Sequence, residues 1–284
     1  MAESSGRWIV DTAWLAEHLD APDVVVLDGS WHLPTAERDP KADYAAAHLP
    51  DAQFFDIDDI ADEASPLPHM LPSTIKFASR VKKMGIGDGM RVVVYDAEGS
   101  NAAARVWWMF RVMGHHDVVV LDGGMAKWRA EGRPVDDLPP RPRTPRHFTP
   151  RFNASLVQDA DDVLRAVERE TAQIIDARAA ARFRGEAPEP RAGLRSGHMP
   201  GALNLPYELL YNEDRTYKSP EDLRALFDQA GIDRSQPIVT SCGSGVTACI
   251  VALGLAIAGQ PNAAVYDGSW TEWGGDERFP VITG

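Results

Sequence analysis

The sequence contains one clear candidate for a nucleophile, Cys242. Residues 238–249 read Ile-Val-Thr-Ser-Cys-Gly-Ser-Gly-Val-Thr-Ala-Cys, so Cys242 follows an apolar run that is typical of a strand and precedes an apolar helix. Gly243 and Gly245 permit a tight loop between the two elements. Backbone N–H groups in such a loop, together with the positive N-terminal end of the helix, can stabilise an anion. We therefore expect Cys242 to be a reactive thiolate, since the thiolate is the nucleophilic form of cysteine.

The residues around this cysteine define the rest of the expected loop. The anion-stabilising loop consists of Gly243, Ser244, Gly245, Val246 and Thr247. Cys249 lies seven residues after Cys242, inside the apolar helix, and we interpret it as a core residue. A redox partnership with Cys242 is the minor alternative.

The chain repeats itself at an interval of about 150 residues. Three motifs recur in the same order: residues 48–52 and 198–202, residues 92–96 and 238–242, and residues 121–128 and 266–273. This recurrence predicts two homologous domains. In the first repeat, Asp96 stands at the position of Cys242. The first domain should therefore lack the cysteine chemistry.

The predicted boundary between the domains is a proline-rich linker. Residues 138–150 contain five prolines in thirteen residues, which excludes a helix or a central strand there. We predict an N-terminal, non-catalytic domain over 1–137, a semi-rigid extended linker over 138–150 and a catalytic domain over 151–284. The arginines of the linker are expected to be solvated and to lie against the acidic domains.

Each repeat alternates short apolar runs with amphipathic or apolar helices. The predicted strands are 24–27, 92–95, 118–121, 174–175, 238–240 and 263–266, and the predicted helices are 12–19, 73–84, 102–113, 160–170, 220–230 and 247–258. Apolar runs of this kind suit a parallel sheet that is covered on both faces. The pattern predicts an α/β fold with a mainly parallel sheet flanked by helices in each domain. Ligands of such folds bind beyond the carboxyl ends of the strands, where Cys242 lies.

Composition excludes several classes of protein. The 284 residues carry a formal net charge of −13, which disfavours binding to nucleic acid or to an anionic membrane surface. Two cysteines are too few for a disulfide-built protein or for a cysteine-based zinc site. No apolar run reaches the length of a membrane span, and the first residues lack the pattern of a signal peptide. We expect a cytoplasmic protein without a metal or an organic cofactor.

The cysteine loop resembles that of the tandem-rhodanese sulfurtransferases, of the type that uses 3-mercaptopyruvate. Further similar motifs lie at residues 54–58, 69–72, 105–110, 114–116, 176–178, 188–191 and 198–202, so the resemblance covers nearly the whole chain. It implies two homologous rhodanese-like domains, of which the first is inactive and the second catalytic. It also implies a site between them and a persulfide on Cys242.

Donor preference is expected to depend on the loop and on two arginines. Relatives that prefer thiosulfate carry basic residues just after the cysteine, whereas Gly243 and Ser244 are neutral. The resemblance identifies Arg182 and Arg191 as the donor-binding arginines, and a guanidinium suits a carboxylate because it is planar, charged and bidentate. A related phosphatase loop would end in an arginine, which is absent after Thr247.

The resemblance also implies a proton relay of Asp58, His69 and Ser244. A carboxylate would orient the imidazole, and the imidazole would exchange a proton with the hydroxyl. The hydroxyl could take the thiol proton of the donor or protonate the departing enolate. His48 and His198 recur at matching places in the two repeats, which favours a structural role for both.

These features predict an enzyme that moves sulfur from 3-mercaptopyruvate through the Cys242 persulfide and releases pyruvate. The acceptor would be cyanide, a small thiol or a thioredoxin-like protein, and the enzyme is expected to be a monomer. One alternative is a thiosulfate sulfurtransferase with the same nucleophile. Another is a non-enzymatic persulfide carrier, although a passive carrier would not need donor-binding arginines.

Overall fold

A computed structural model describes residues 5–97 and 99–284, which form two compact units. The first unit contains the described residues up to Glu63, together with Leu71–Asn153 and Asn212–Tyr217. The second contains Ala64–Met70, Ala154–Tyr211 and Lys218–Gly284. The predicted domain boundaries at 137 and 151 remain a prediction.

The first unit is built on a five-stranded parallel sheet. Its strands are β1 (Ile9–Val10), β2 (Val24–Asp28), β3 (Gln53–Phe54), β4 (Arg91–Tyr95) and β5 (Val118–Leu121), in the order β1-β5-β4-β2-β3. Its helices are α1 (Thr12–His18), α2 (Pro40–Ala46), α3 (Thr74–Lys83), α4 (Ala103–Val112) and α5 (Gly124–Ala130), with short 3-10 turns at Ser5–Arg7 and Pro34–Ala36. The three central strands are buried along almost their whole length, as a sheet covered on both faces requires.

The second unit repeats the same topology. Its strands are β6 (Val157–Gln158), β7 (Gln173–Asp176), β8 (Leu203–Asn204), β9 (Ile238–Ser241) and β10 (Ala264–Tyr266), in the order β6-β10-β9-β7-β8. Its helices are α6 (Ala160–Arg169), α7 (Ala180–Phe183), α8 (Pro220–Gln229), α9 (Ala248–Ile257) and α10 (Ser269–Trp273), with 3-10 turns at Ala154–Leu156 and Tyr207–Leu210. All strand pairs are parallel. The predicted α/β fold and internal duplication are therefore confirmed.

Local sequence signals explain where the helices begin and end. The side chains of Asp11, Ser73 and Ser219 accept hydrogen bonds at the N-termini of α1, α3 and α8, and a capping box of Asp159 and Asp162 begins α6. Gly85 and Gly231 follow α3 and α8 with φ angles of 71° and 75°. This left-handed conformation ends a helix and favours glycine.

The proline-rich segment 138–150 forms neither helix nor strand, as predicted. It belongs to the first unit, where the side chain of Arg143 donates to Asp51 at 3.0 Å. Thr149 donates to Asp88 through its hydroxyl at 2.6 Å, and the ring of Phe148 is buried. The segment is therefore packed along the first unit by both ionic and apolar contacts.

In the first unit, Asp96 follows β4 as Cys242 follows β9. Its carboxylate accepts hydrogen bonds from the N–H groups of Ala102 and Ala103 at 2.8 and 3.1 Å, at the start of α4. Burial raises the pKa of Asp96 to about 6, although these two N–H groups favour the charged form. The first unit thus places a carboxylate, rather than a thiol, in its helix-terminal pocket of N–H donors.

This raised pKa predicts a pH-dependent contribution to stability. The folded state binds a proton more tightly than the unfolded state, so the contribution of Asp96 is present below its ordinary pKa and is lost as the pH rises from about 4 to 6. The loss amounts to about 3 kcal/mol in the free energy of unfolding. We expect Asp96→Asn to remove it, which urea unfolding between pH 4 and 8 would measure.

The control is Asp88→Asn. Hydrogen bonds from Thr149 lower the pKa of Asp88, so its contribution is present above its ordinary pKa and is lost as the pH falls. Identical pH profiles for the wild type and Asp96→Asn would contradict the assigned ionisation of Asp96.

Candidate active site

Cys242 lies immediately after β9, at the carboxyl edge of the second sheet, and is 2% exposed. Its N–H donates to the hydroxyl of Ser269 at 3.2 Å, and its carbonyl accepts from the N–H of Trp270 at 3.0 Å. The next carbonyl, that of Gly243, accepts from both the N–H and the hydroxyl of Thr271. The start of α10 therefore holds the backbone of the cysteine loop on both sides of Cys242.

The loop that follows keeps its own N–H groups available. Within residues 5–97 and 99–284, no acceptor is found for the N–H groups of Gly243, Ser244, Val246 and Thr247. Gly245 has a φ angle of 74°, which a side chain would disfavour. The loop can thus offer several N–H donors to an anion.

Cys249 contributes to this loop from inside α9. It is fully buried, and its thiol donates to the carbonyl of Gly245 at 3.2 Å. Ser244 is also buried, at 5% exposure, between these two cysteines in the sequence. The contact made by Cys249 is consistent with its interpretation as a core residue.

Arg182 lies against the cysteine loop. A Cβ atom built on Gly243 would lie 3.3 Å from Nη2 of Arg182, so the absence of a side chain at Gly243 leaves room for the guanidinium. Arg182 is carried by the short helix α7, and its side chain is 23% exposed. The structure thus brings one predicted donor-binding arginine to the predicted nucleophilic loop.

A buried network of charges holds Arg182 from behind. Glu189 forms an ion pair with Nη2 of Arg182 and accepts from Nη1 of Arg178 at 2.7 Å. Arg178 also forms a hydrogen-bonded ion pair with Asp176, and its guanidinium stacks over the ring of Trp270 at 4.0 Å. Burial by itself lowers the pKa of Arg178, but the carboxylates of Asp176 and Glu189 outweigh it and raise that pKa. Arg178 is therefore a permanent cation.

The sequence did not assign roles to Arg178, Glu189 or Trp270. The spacing of Asp176 and Arg178 was a usable signal, since a carboxylate and a guanidinium two residues apart after a strand can pair locally. The contact between Glu189 and Arg182 spans a loop, and the contact between Arg178 and Trp270 spans 92 positions of the chain. Both contacts depend on the fold.

The remaining predicted residues are distributed over both units. Arg191 is half-buried, two residues after Glu189, and belongs to the second unit together with His69 and Ser244. His69 is buried and has a φ angle of 59°, a strained conformation for histidine. Asp58 belongs to the first unit, where it is exposed in a turn and accepts from Nε1 of Trp31 at 3.0 Å.

His48 and His198 make matching contacts within their units. The ring of His48 stacks on Tyr44, and its Nδ1 lies 2.8 Å from the carbonyl of that residue. The ring of His198 stacks on Phe183, and its Nδ1 lies 2.8 Å from the carbonyl of Phe183. These contacts fit the structural role expected for both histidines. Among the described residues, no group of three or more His, Cys, Asp and Glu could hold a metal ion.

Comparison with known proteins identifies the family. The model of the Rhodanese-like domain matches residues 11–131 and 159–276. The chain belongs to the sulfurtransferases with two rhodanese-like domains, and it is a transferase of sulfur-containing groups.

Individual relatives cover nearly the whole chain. Human 3-mercaptopyruvate sulfurtransferase is 42% identical and bovine thiosulfate sulfurtransferase is 45% identical, each over 94% of this chain and 92% of the relative. The crystal structure of SseA from Escherichia coli, one of the 3-mercaptopyruvate sulfotransferases, matches with a TM-score of 0.84 and 41% identity over 93% of this chain and 98% of SseA. None of the described helices is long and apolar enough to cross a membrane.

Arg195 provides a test that separates structural from donor-binding arginines. Its guanidinium donates to the carbonyls of Trp273, Gly274, Asp276 and Phe279 at 2.5 to 3.1 Å, which ties residues 273–279 to the segment around Arg195 within the second unit. We expect Arg195→Ala to lower the free energy of unfolding by about 3 kcal/mol, because several carbonyls lose a charged donor. The sulfurtransferase kcat/KM of the folded enzyme should change less than about twofold.

The matched control is Arg184→Ala. Among the contacts of the described residues, the side chain of Arg184 pairs only with the exposed carboxylate of Glu186, and such a surface pair adds little stability because both groups are solvated. Urea unfolding and steady-state kinetics of both variants check the prediction. A large fall in kcat/KM without a loss of stability in Arg195→Ala would assign Arg195 to the donor site.

Proposed function

We propose that this enzyme is a 3-mercaptopyruvate sulfurtransferase in which Cys242 is the nucleophile and Arg182 and Arg191 bind the donor. The observation that carries the proposal is the position of the Arg182 guanidinium beside Gly243 in the cysteine loop. It puts a bidentate cation within reach of a donor whose sulfur faces Cys242. The donor carries a carboxylate and a ketone, which match the two arginines.

The first half of the reaction transfers sulfur to the enzyme. The Cys242 thiolate attacks the donor sulfur, the carbon–sulfur bond breaks, and its electron pair leaves with pyruvate enolate. The new persulfide carries the negative charge, and the N–H groups of Gly243, Ser244, Val246 and Thr247 stabilise it as an oxyanion hole stabilises an oxyanion. The thiol proton of the donor passes to the enolate carbon, which gives pyruvate.

The proposed proton route uses Ser244, His69 and Asp58. Ser244 and His69 belong to the unit that contains Cys242, which supports the part of the relay nearest the reaction. The role of Asp58 follows from the resemblance alone, and so does the role of Arg191 in donor binding.

In the second half, a thiophilic acceptor removes the outer sulfur and regenerates the Cys242 thiolate. We propose cyanide, small thiols or a thioredoxin-like protein as acceptors, a monomeric enzyme and a cytoplasmic location. Both cysteines are free thiols, so Cys242 is available to form the persulfide. The mechanism needs no metal or organic cofactor.

A thiosulfate sulfurtransferase is the competing assignment. The bovine relative with that name is as similar overall as the human 3-mercaptopyruvate sulfurtransferase, so overall identity does not decide between the donors. The loop residues favour 3-mercaptopyruvate, because Gly243 and Ser244 supply no positive charge for a dianion. The non-enzymatic carrier is set aside, since the chain belongs to an enzyme family.

The assignment predicts the donor preference of the wild-type enzyme. With cyanide as the common acceptor, kcat/KM for 3-mercaptopyruvate should exceed kcat/KM for thiosulfate by about tenfold or more, a difference of about 1.4 kcal/mol in the transition state. Steady-state assays with both donors measure it. A preference for thiosulfate would mean that another positive group reaches the donor, and the assignment would be wrong.

The control for that assay is Cys242→Ser. We expect this variant to transfer no sulfur from either donor and to gain no sulfur in its intact mass. Cys249→Ser should still transfer sulfur and should still gain sulfur in its intact mass, because the thiol of Cys249 contacts a backbone carbonyl rather than the donor. Sulfur transfer by Cys242→Ser would contradict the mechanism.

The proton relay predicts a donor-dependent effect of Ser244→Ala. The enolate that leaves 3-mercaptopyruvate needs a proton, whereas sulfite leaves thiosulfate without one. Ser244→Ala should therefore lower kcat for 3-mercaptopyruvate by about tenfold to a hundredfold and change kcat for thiosulfate little. Equal losses with both donors would show that Ser244 shapes the loop and does not transfer a proton.

A further inference from the structure

The second unit contains a chain of alternating charges that ends at Arg182. Asp176 contacts Arg178, Arg178 contacts Glu189, and Glu189 contacts Arg182. The side chains of Arg178 and Glu189 are 0% and 2% exposed, whereas that of Arg182 is 23% exposed. Only the last member of the chain is open to solvent, and it is the member that faces the cysteine loop.

Glu189 is the link between the buried and the accessible arginine. One of its oxygens accepts from Nη1 of Arg178 and from Nε of Arg182, and the other pairs with Nη2 of Arg182. A carboxylate that accepts hydrogen bonds from two nitrogens of one guanidinium fixes the plane and direction of that guanidinium. The Arg182 atom nearest Gly243 is Nη2, which is one of the two nitrogens that Glu189 holds.

Arg178 is itself fixed by three independent groups. It donates to both oxygens of Asp176 and to the carbonyl of Gly197, and it stacks on Trp270. Trp270 in turn donates its backbone N–H to the carbonyl of Cys242. Trp270 therefore contacts both Arg178, which supports Arg182 through Glu189, and the backbone of Cys242.

The first unit provides a comparison within the same chain. Asp28 ends β2 as Asp176 ends β7, and in each unit its carboxylate accepts from the N–H two residues on, at 2.9 Å. That second residue is Ser30 in the first unit and Arg178 in the second. Met125 donates its N–H to the carbonyl of Asp96 as Trp270 does to that of Cys242. These backbone hydrogen bonds are the same in both units. At the two compared positions, however, the arginine and the tryptophan occur only in the unit that contains Cys242.

From these contacts we infer that Glu189, supported by Arg178 and Trp270, is a positioning residue that sets the orientation of the Arg182 guanidinium for the donor carboxylate. The inference rests on the proposed function, in which Arg182 binds the donor. Glu189 itself does not touch the donor. It acts by holding Arg182 in one orientation before the donor arrives, which lowers the loss of side-chain entropy on binding.

The test is Glu189→Gln, with Glu186→Gln as the matched control. Both substitutions remove one negative charge from the same segment, but Glu186 pairs with the exposed Arg184. We expect Glu189→Gln to raise KM for 3-mercaptopyruvate about fivefold or more, with kcat within about twofold, and Glu186→Gln to change neither. The rate of alkylation of Cys242 by neutral iodoacetamide should stay the same in both variants, because the loop is intact.

A double-mutant cycle with Arg182→Ala separates this inference from the proposed function. If Glu189 acts through Arg182, then Glu189→Gln raises KM in the wild type but not in the Arg182→Ala background. A high KM in Arg182→Ala alone, with an unchanged KM in Glu189→Gln, would overturn the inference and leave the donor site in place. An unchanged KM in Arg182→Ala would overturn both.

A second variant covers the case in which Glu189→Gln does not fold. Glu189→Asp keeps the negative charge beside the buried Arg178, but the shorter side chain cannot bridge two guanidinium groups. We expect it to fold and to raise KM for 3-mercaptopyruvate. A normal KM in folded Glu189→Asp, or a lower melting temperature as its only effect, would show that Glu189 serves only to neutralise Arg178.

Discussion

The contact on which the second unit depends is the buried carboxylate of Glu189 between two guanidinium groups. A charged group is expensive to bury unless it is paired and hydrogen-bonded, and Glu189 satisfies both conditions by serving Arg178 and Arg182 at once. The same arrangement gives the two arginines different uses. Arg178 is enclosed and structural, whereas Arg182 keeps part of its side chain exposed and lies beside the cysteine loop.

The two units show which parts of the fold are the same although only the second contains the cysteines. Both sheets have the same strand order, and a helix N-terminus follows the central strand in each. In the first unit the donors at this terminus are used by the carboxylate of Asp96, within its own chain. In the second unit the corresponding loop holds Cys242, and several of its N–H groups have no acceptor among the described residues. The same local backbone thus holds a carboxylate in the first unit and a cysteine in the second.

Much of the fold could be predicted because it depends on local pattern. The strand predicted at Val118–Leu121 has those bounds, and the six predicted helices were found within a residue or two at each end. The two-residue strands β1, β3, β6 and β8 were not predicted, because two residues are too short to show a period. The helices α7 and α10, of four and five residues, are also too short to show a helical period. Helices α2 and α5 were not predicted either, although they have seven residues each, like α1.

The residues of the cysteine loop could be predicted from the sequence, but the residues that hold the loop and Arg182 in place could not. The Cys242 loop is a local pattern of strand, glycines and helix, so the sequence alone predicts it. The use of Ser269 and Trp270 to hold that loop depends on the contact between two elements that lie about thirty residues apart in the chain. Glu189 was one acidic residue in a proline-rich segment until the fold placed it against Arg182.

Gly243 and Arg182 together explain the donor preference that we propose. Gly243 has two consequences: it places no positive charge after the cysteine, and it leaves the space that Arg182 occupies. A long basic side chain at this position would bring its own cation to the sulfur and would also meet the guanidinium of Arg182 at close range, where like charges repel. In the proposed mechanism, the neutral loop and the arginine held by Glu189 are therefore two parts of one arrangement, in which the positive charge lies beside the loop and binds the carboxylate of the donor.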